Sequence, residues 1–195
     1  MDLFLRFNSL ILLTILLLGC SPINSVQPFD QQQAAQILKN DYVTQPAKQK
    51  IALDLPGDQK WKSLQTDANK NNRLLLPENN SLANWQQSIR TSITGYLDEP
   101  KINAKKIVLR EIKNAYQQCQ RVNASVLKET ANYLIYKIDM AGCEHQPNQI
   151  QIGKTFNGSD AVYTVYYSAQ TNQIATAQLI LMSHVIKKSQ LVAAS

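Results

Sequence analysis

Three cysteines, Cys20, Cys119 and Cys143, and two histidines, His145 and His184, are the residues whose types could define a chemical site. A metal centre needs three or four converging ligands, and neither a Cys-x-x-Cys nor a His-x-x-x-His spacing occurs. The histidines read as exposed or internally satisfied side chains: His145 follows Glu144 just past Cys143, and His184 falls inside the last apolar period. A hydrolase built on either would need a carboxylate and a nucleophilic hydroxyl beside it. No Gly-x-Ser-x-Gly elbow is present, and isolated glycines form no phosphate-cradling loop. Asp139 and Asp160 stand on a predicted strand and in a predicted turn, where solvated or turn-capping roles are the default. No catalytic residue, metal or cofactor is expected, and the chain reads as a non-enzyme.

What precedes Cys20 sets it apart from the other two cysteines. An apolar run from Leu10 to Leu18 follows Arg6 and ends in small Gly19, the layout of a secretory signal cut just before Cys20. At ~1.5 Å per helical residue the run spans about 14 Å, roughly half of a ~30 Å hydrocarbon core. It is long enough to start export and too short to remain as a span. Leu17-Leu18-Gly19-Cys20 resembles the lipobox of bacterial lipoproteins. The resemblance implies that the Cys20 thiol takes a diacylglycerol, that residues 1–19 are removed, and that the new amine is acylated, with palmitate as the typical chain. Stable anchoring takes more than one acyl chain, which such a cysteine supplies. In that family an Asp after the acylated cysteine holds the protein at the inner membrane. Here Ser21 follows, so the resemblance implies the outer membrane, facing the periplasm. The bland alternatives are an ordinary cleaved signal with an incidental Cys20, or a short buried helix.

With Cys20 committed to lipid, an exported chain keeps two thiols and one intramolecular pairing, Cys119 with Cys143. A redox or metal pair is the alternative, but the spacing lacks the Cys-x-x-Cys form. The formal charge of +6 comes with no Arg-rich stripe interleaved with aromatics, so nucleic acid is not the expected partner. Acidic lipid head groups or another envelope protein suit the balance as well.

These residues need elements to position them. Residues 20–60 are polar, with Pro22, Pro28, Pro46 and Pro56 spread through them, and read as a lipidated flexible tether. A short helix over Asp30 to Tyr42, capped by Asp30, is conceivable within it. A single domain is expected over 61–195. Its first strands, from Trp61 and over Arg73 to Leu76, flank the turn cluster 67–72. Leu82 to Leu97 fits both periods, since Trp85, Ile89, Ile93 and Leu97 recur every four residues. The β-branched and serine content from Ser88 to Thr94 favours a strand. Asn103 caps a helix to about Val122, with Ile107, Val108, Glu111, Ile112, Ala115, Tyr116 and Cys119 along one face. From that face a disulfide would staple the helix to a strand over Tyr133 to Ala141; a further strand is plausible around Ser125 to Lys128. Asn157-Gly158 turns a hairpin over Ile150 to Ala169. A last helix over Gln173 to Lys188 ends in Lys187 and Lys188, where cations suit the dipole.

The sum is an α+β domain, an antiparallel sheet with two helices packed on one face. In element order it is similar to small exported domains of the Mog1/PsbP-like kind, a likeness that carries no binding residue with it. Tyr133, Tyr136, Tyr163, Tyr166 and Tyr167 read as core residues with hydroxyls at the edge, and otherwise as a recognition surface. Lys101, Lys105, Lys106, Arg110 and Lys113 read as a solvated helix face, and otherwise as a face for anionic lipid. Two functions are expected from these features. The first is a membrane-anchored envelope lipoprotein, a non-enzymatic accessory or structural part of an outer-membrane assembly. The second is a binding module presenting a pocket for a lipid, peptide or cell-wall fragment.

Overall fold

The computed structural model describes residues 47–65, 72–96, 99, 101–144 and 146–194. The lipobox-like segment Leu17–Cys20, His145 and the expected helix of 30–42 lie outside them. Nine strands and two helices follow in chain order among the described residues. They are β1 (Gln49–Ala52), β2 (Trp61–Gln65), β3 (Arg73–Pro77), β4 (Gln87–Gly95), α1 (Ala104–Gln118), β5 (Cys119–Glu129), β6 (Tyr133–Cys143), β7 (Gln149–Asn157), β8 (Ala161–Gln170), α2 (Thr176–Lys188) and β9 (Gln190–Ala193). Seven strands form one antiparallel sheet in the order β2-β3-β4-β8-β7-β6-β5, while β1 pairs with β9. The class is α+β, as the sequence patterning leads one to expect.

The ambiguous segment is a strand. Arg90 lies opposite Tyr166 and Ile93 opposite Tyr163, so β4 is paired with β8 along its whole length. Alternation of Ile89, Thr91 and Ile93 outweighs the four-residue recurrence because the partner strand rewards period two. α1 begins where expected: the Asn103 side chain accepts a hydrogen bond from the Lys106 N–H at 2.9 Å. It ends four residues short of Val122, at Gln118, and the chain passes straight into β5 at Cys119.

The two helices lie on opposite faces of the sheet, not on one. Leu134, Tyr136, Ile138 and Met140 of β6 pack with Ala104, Val108 and Ala115 of α1. Ile150, Ile152 and Phe156 of β7 pack with Met182, Val185 and Ile186 of α2. Register makes these different faces: Tyr136 is opposite Gly153, and Ile152 is opposite Lys137, one residue out of phase. Side chains alternate along a strand, so the central strands carry a core on each side.

The disulfide Cys119–Cys143 is present, but it joins two neighbouring strands, β5 and β6, rather than a helix to a strand. The domain also starts earlier than Trp61. β1 pairs Gln49 with Ala193 and Ile51 with Leu191, and Ala47, Ile51, Leu53 and Leu55 pack on the α2-side core. At least residues 47–55 therefore belong to the fold and not to a tether. Gly142, at φ 65°, makes the left-handed step that leads out of β6, with its N–H held by Asn148 Oδ1 at 2.9 Å.

Candidate functional site

Four strands place a row of polar and aromatic side chains beneath α1. Pairing sets Arg90 of β4 opposite Tyr166 of β8, Tyr166 opposite Gly153 of β7, and Gly153 opposite Tyr136 of β6. Arg90 Nη1 donates to the Tyr166 hydroxyl at 3.5 Å, and Gln151 Nε2 donates to the Tyr136 hydroxyl at 3.2 Å. Glu111, from the apolar stripe of α1, closes the row from above. Burial pushes its carboxyl up, and the nearby Arg90 and Arg110 guanidiniums only partly oppose this. Burial likewise raises the Tyr136 phenol well above its ordinary value, with Glu111 adding to the rise. Burial raises Tyr166 too. The row could hold a proton on Glu111 and donate hydrogen bonds from two phenols. The sequence signal for it was one acidic residue, Glu111, on an otherwise apolar helix stripe.

Two surface grooves lie elsewhere, and neither is lined by a member of that row. One, about 560 Å³ and open to solvent, runs between the end of α1 and the strands, lined by Tyr116, Arg121, Asn123, Asp139, Asn148 and Thr171 among others. Asp139 there pairs with Lys137 at 2.9 Å. The other, about 330 Å³, is a polar hollow between Asp58, Lys60 and Glu78.

The remaining residues singled out by sequence are scattered. His184 is exposed on α2. Asp160 is a turn-capping carboxylate, accepting from the Lys48 N–H at 2.7 Å and the Tyr163 hydroxyl at 2.9 Å. Tyr136, Tyr163 and Tyr167 are buried core residues, so the core reading of the tyrosines holds for these three. The cationic face of α1 is exposed, with Lys105 paired to Glu129 at 3.2 Å and Arg110 to Glu99 at 3.1 Å. Among the described residues no three of His, Cys, Asp and Glu converge as a metal site would require. Among them, too, no helix is long and apolar enough to cross a membrane.

Lys154 has a structural task. It is buried on the α2 face and donates to the carbonyls of Lys187 at 2.9 Å and Ser189 at 2.7 Å, the orphan end of α2. Its ammonium lies 4.6 Å from the Tyr133 ring centroid and 4.8 Å from that of Phe156. Burial lowers its pKa, and Lys128 adds to the effect.

No protein-family model and no curated protein matches this chain. Among solved structures it is similar to the Saccharomyces cerevisiae Ran-binding protein Mog1p, at 7% identity and a TM-score of 0.46, over 72% of this chain and 89% of that one. It is also similar to LpqN, involved in cell envelope biogenesis of Mycobacterium tuberculosis, at 16% identity and a TM-score of 0.48, over 77% of this chain and 87% of that one.

Proposed function

We propose that the chain is a cell-envelope lipoprotein, fastened to a membrane through lipid on Cys20. Its domain serves as a non-enzymatic accessory or structural part of an outer-membrane assembly. The observation that carries this reading is the fate of the sulfurs. Cys119 and Cys143 are bonded to each other, so the remaining cysteine of the chain is the one beside Gly19 at the end of an apolar run. A disulfide suits an oxidising compartment, which is where such a run would deliver the chain. Ser21 in place of Asp favours the outer membrane. For an accessory role the support is an exposed surface with apolar side chains: Val126 and Leu127 on edge strand β5, and Leu109 and Tyr116 on α1.

The test is the chain with Cys20→Ser, expressed in a Gram-negative host. Wild type is expected to incorporate labelled palmitate, to lose residues 1–19 and to fractionate with the outer membrane. The variant is expected to do none of these. Unchanged processing and fractionation of the variant would refute the anchor.

The open groove at the end of α1 favours a second reading, a binding module. Its rim of Tyr116, Asn123, Asp139 and Asn148 mixes a ring with hydrogen-bonding groups, the lining that a peptide or cell-wall fragment requires. Crosslinking in intact cells from a photoreactive residue at Tyr116 separates the two readings, since a protein adduct supports an assembly and a glycan or peptide adduct supports the module.

A further inference from the structure

The described chain enters the domain at one end of the sheet, and that end is the basic one. The Lys48 N–H binds Asp160 in the β7–β8 turn, and the Ser159 N–H binds Gln49 Oε1. α1 starts at the same end, because the Ala104 N–H donates to Asn157 Oδ1 at 2.7 Å. So does the β5–β6 turn, where Asn157 Nδ2 donates to the Ala131 carbonyl. α2 runs back along the sheet and finishes there, with its last carbonyls on Lys154. Converging at this end are the exposed Lys48, Lys101, Lys105, Lys106 and Lys128, joined by Lys187 and Lys188 from the last turn of α2.

The carboxylates at this end are few among the described residues and are occupied. Glu129 is held by Lys105, Glu99 by Arg110, and Asp160 by Lys48 N–H and Tyr163. At the opposite end Glu78 and Glu144 stand beside Lys60, Lys62 and Arg121, so both signs are mixed. Among the described residues, positive charge is therefore concentrated at the end where Lys48 enters the fold. The point at which the described chain begins, Ala47 and Lys48, lies at this same end, so the lysines surround the residue through which the domain joins the segment that carries Cys20.

We infer that this lysine-bearing end, formed by the start of α1, the β5–β6 turn and the end of α2, docks on an anionic phospholipid surface. The inference rests on the lipid-anchor reading for its geometry. Docking would hold the domain upright, with the groove of Tyr116 and Asp139 facing away from the bilayer. An ammonium near an anionic membrane strengthens partitioning about fivefold per lysine, and salt screens the effect within a Debye length of ~8 Å.

The experiment uses the whole mature chain from position 20 carrying Cys20→Ser, so that no acyl chain contributes, and measures co-sedimentation with vesicles. The probes are phosphatidylethanolamine vesicles with phosphatidylglycerol and phosphatidylcholine vesicles without it. Binding is expected to the first and not to the second, and is expected to vanish in half-molar salt. The variant Lys101→Gln/Lys105→Gln/Lys106→Gln should bind about a hundredfold more weakly, and Lys187→Gln/Lys188→Gln about twenty-fivefold, at the same per-lysine factor. Lys60→Gln/Lys62→Gln, at the opposite end, should bind as the parent does.

Equal binding to neutral vesicles, undiminished binding by both basic-end variants, or tighter retention by nucleic acid than by anionic vesicles would each overturn the inference. Failure of Cys20 to carry lipid in cells would sink the anchor and leave this vesicle result intact. The two ideas therefore fail separately.

Discussion

The ring of Tyr136 fills the space that a side chain at Gly153 would occupy: a Cβ at residue 153 would sit 2.2 Å from Tyr136 Cζ and 2.5 Å from its hydroxyl. The glycine is there because the phenol crosses the neighbouring strand to reach Gln151. Gly153→Ala is therefore expected to destabilise the domain by about 2–4 kcal/mol, the cost of overpacking a core that has no slack. Tyr136→Phe, which keeps the ring and loses the hydrogen bond, should cost only about 1 kcal/mol. Urea unfolding of the two variants gives the comparison; a Gly153→Ala loss no larger than that of Tyr136→Phe would contradict the packing account.

Lys154 closes α2 from the sheet side. Lys154→Met keeps the stem between Tyr133 and Phe156 but leaves the Lys187 and Ser189 carbonyls without their donor. A loss of about 1–3 kcal/mol is expected, the range for orphaned buried acceptors. Hydrogen exchange should show faster opening of the last turn of α2 than of α1. Uniform loosening of both helices would mean that the ammonium acts on the core at large and not on this helix end.

Glu111 makes a pH-dependent contribution of known sign. Its folded-state pKa lies above the ordinary carboxyl value, chiefly through burial. Between those two values the native state retains a proton that the unfolded chain has released. Stability from this group is thus fully present below the ordinary value and declines as pH rises through the raised one. Glu111→Gln should be more stable than wild type at pH 7 and should lose that advantage on acidification to pH 4. Thermal melts at the two pH values decide it, and an advantage that grows on acidification would reverse the assignment.

The disulfide pins an edge. Cys119 and Cys143 are separated by 24 residues and face each other across β5 and β6. In the chain-entropy treatment, closing a loop of that length stabilises the fold by about 3.5 kcal/mol. Cys119→Ala/Cys143→Ala should show that deficit in denaturant, and β5, paired on one side only among the described residues, should be the first strand to exchange its amides. Oxidised and reduced wild type with equal midpoints would remove the stabilising role.

Sequence patterning exposed what depends on neighbours along the chain and missed what depends on register. The Asn103 cap, the Asn157-Gly158 hairpin and the alternation of Leu134, Tyr136, Ile138 and Met140 are local signals, and each is where the patterning puts it. The opposite-face helices turn on Tyr136 pairing with Gly153 rather than with Ile152, a single-residue phase between distant strands. The row from Arg90 to Tyr136 has the same origin, four strands aligned by pairings that no local pattern encodes. Cys119 lies on the helical stripe by spacing, yet strand pairing with Cys143 claims it for β5.

β1 illustrates the hardest case, since it is four residues long and its partner β9 lies at the other end of the chain. The pairing matters because it covers the α2-side core: Ile51, partly buried, packs there with Leu53, Leu55 and Leu191. Ile51→Ala should cost about 1–2 kcal/mol, less than a fully buried isoleucine because part of its surface already meets water. Leu191→Ala, on the facing strand, should cost a similar amount, and the double variant less than the sum, because the two residues share one contact. A chain beginning at Trp61 would lack β1 altogether and leave β9 unpaired. It should unfold at lower denaturant than the chain from residue 20 by more than either single substitution does. If the shorter chain matched the longer one in midpoint and slope, β1 would be an ornament and the domain would begin at Trp61 after all.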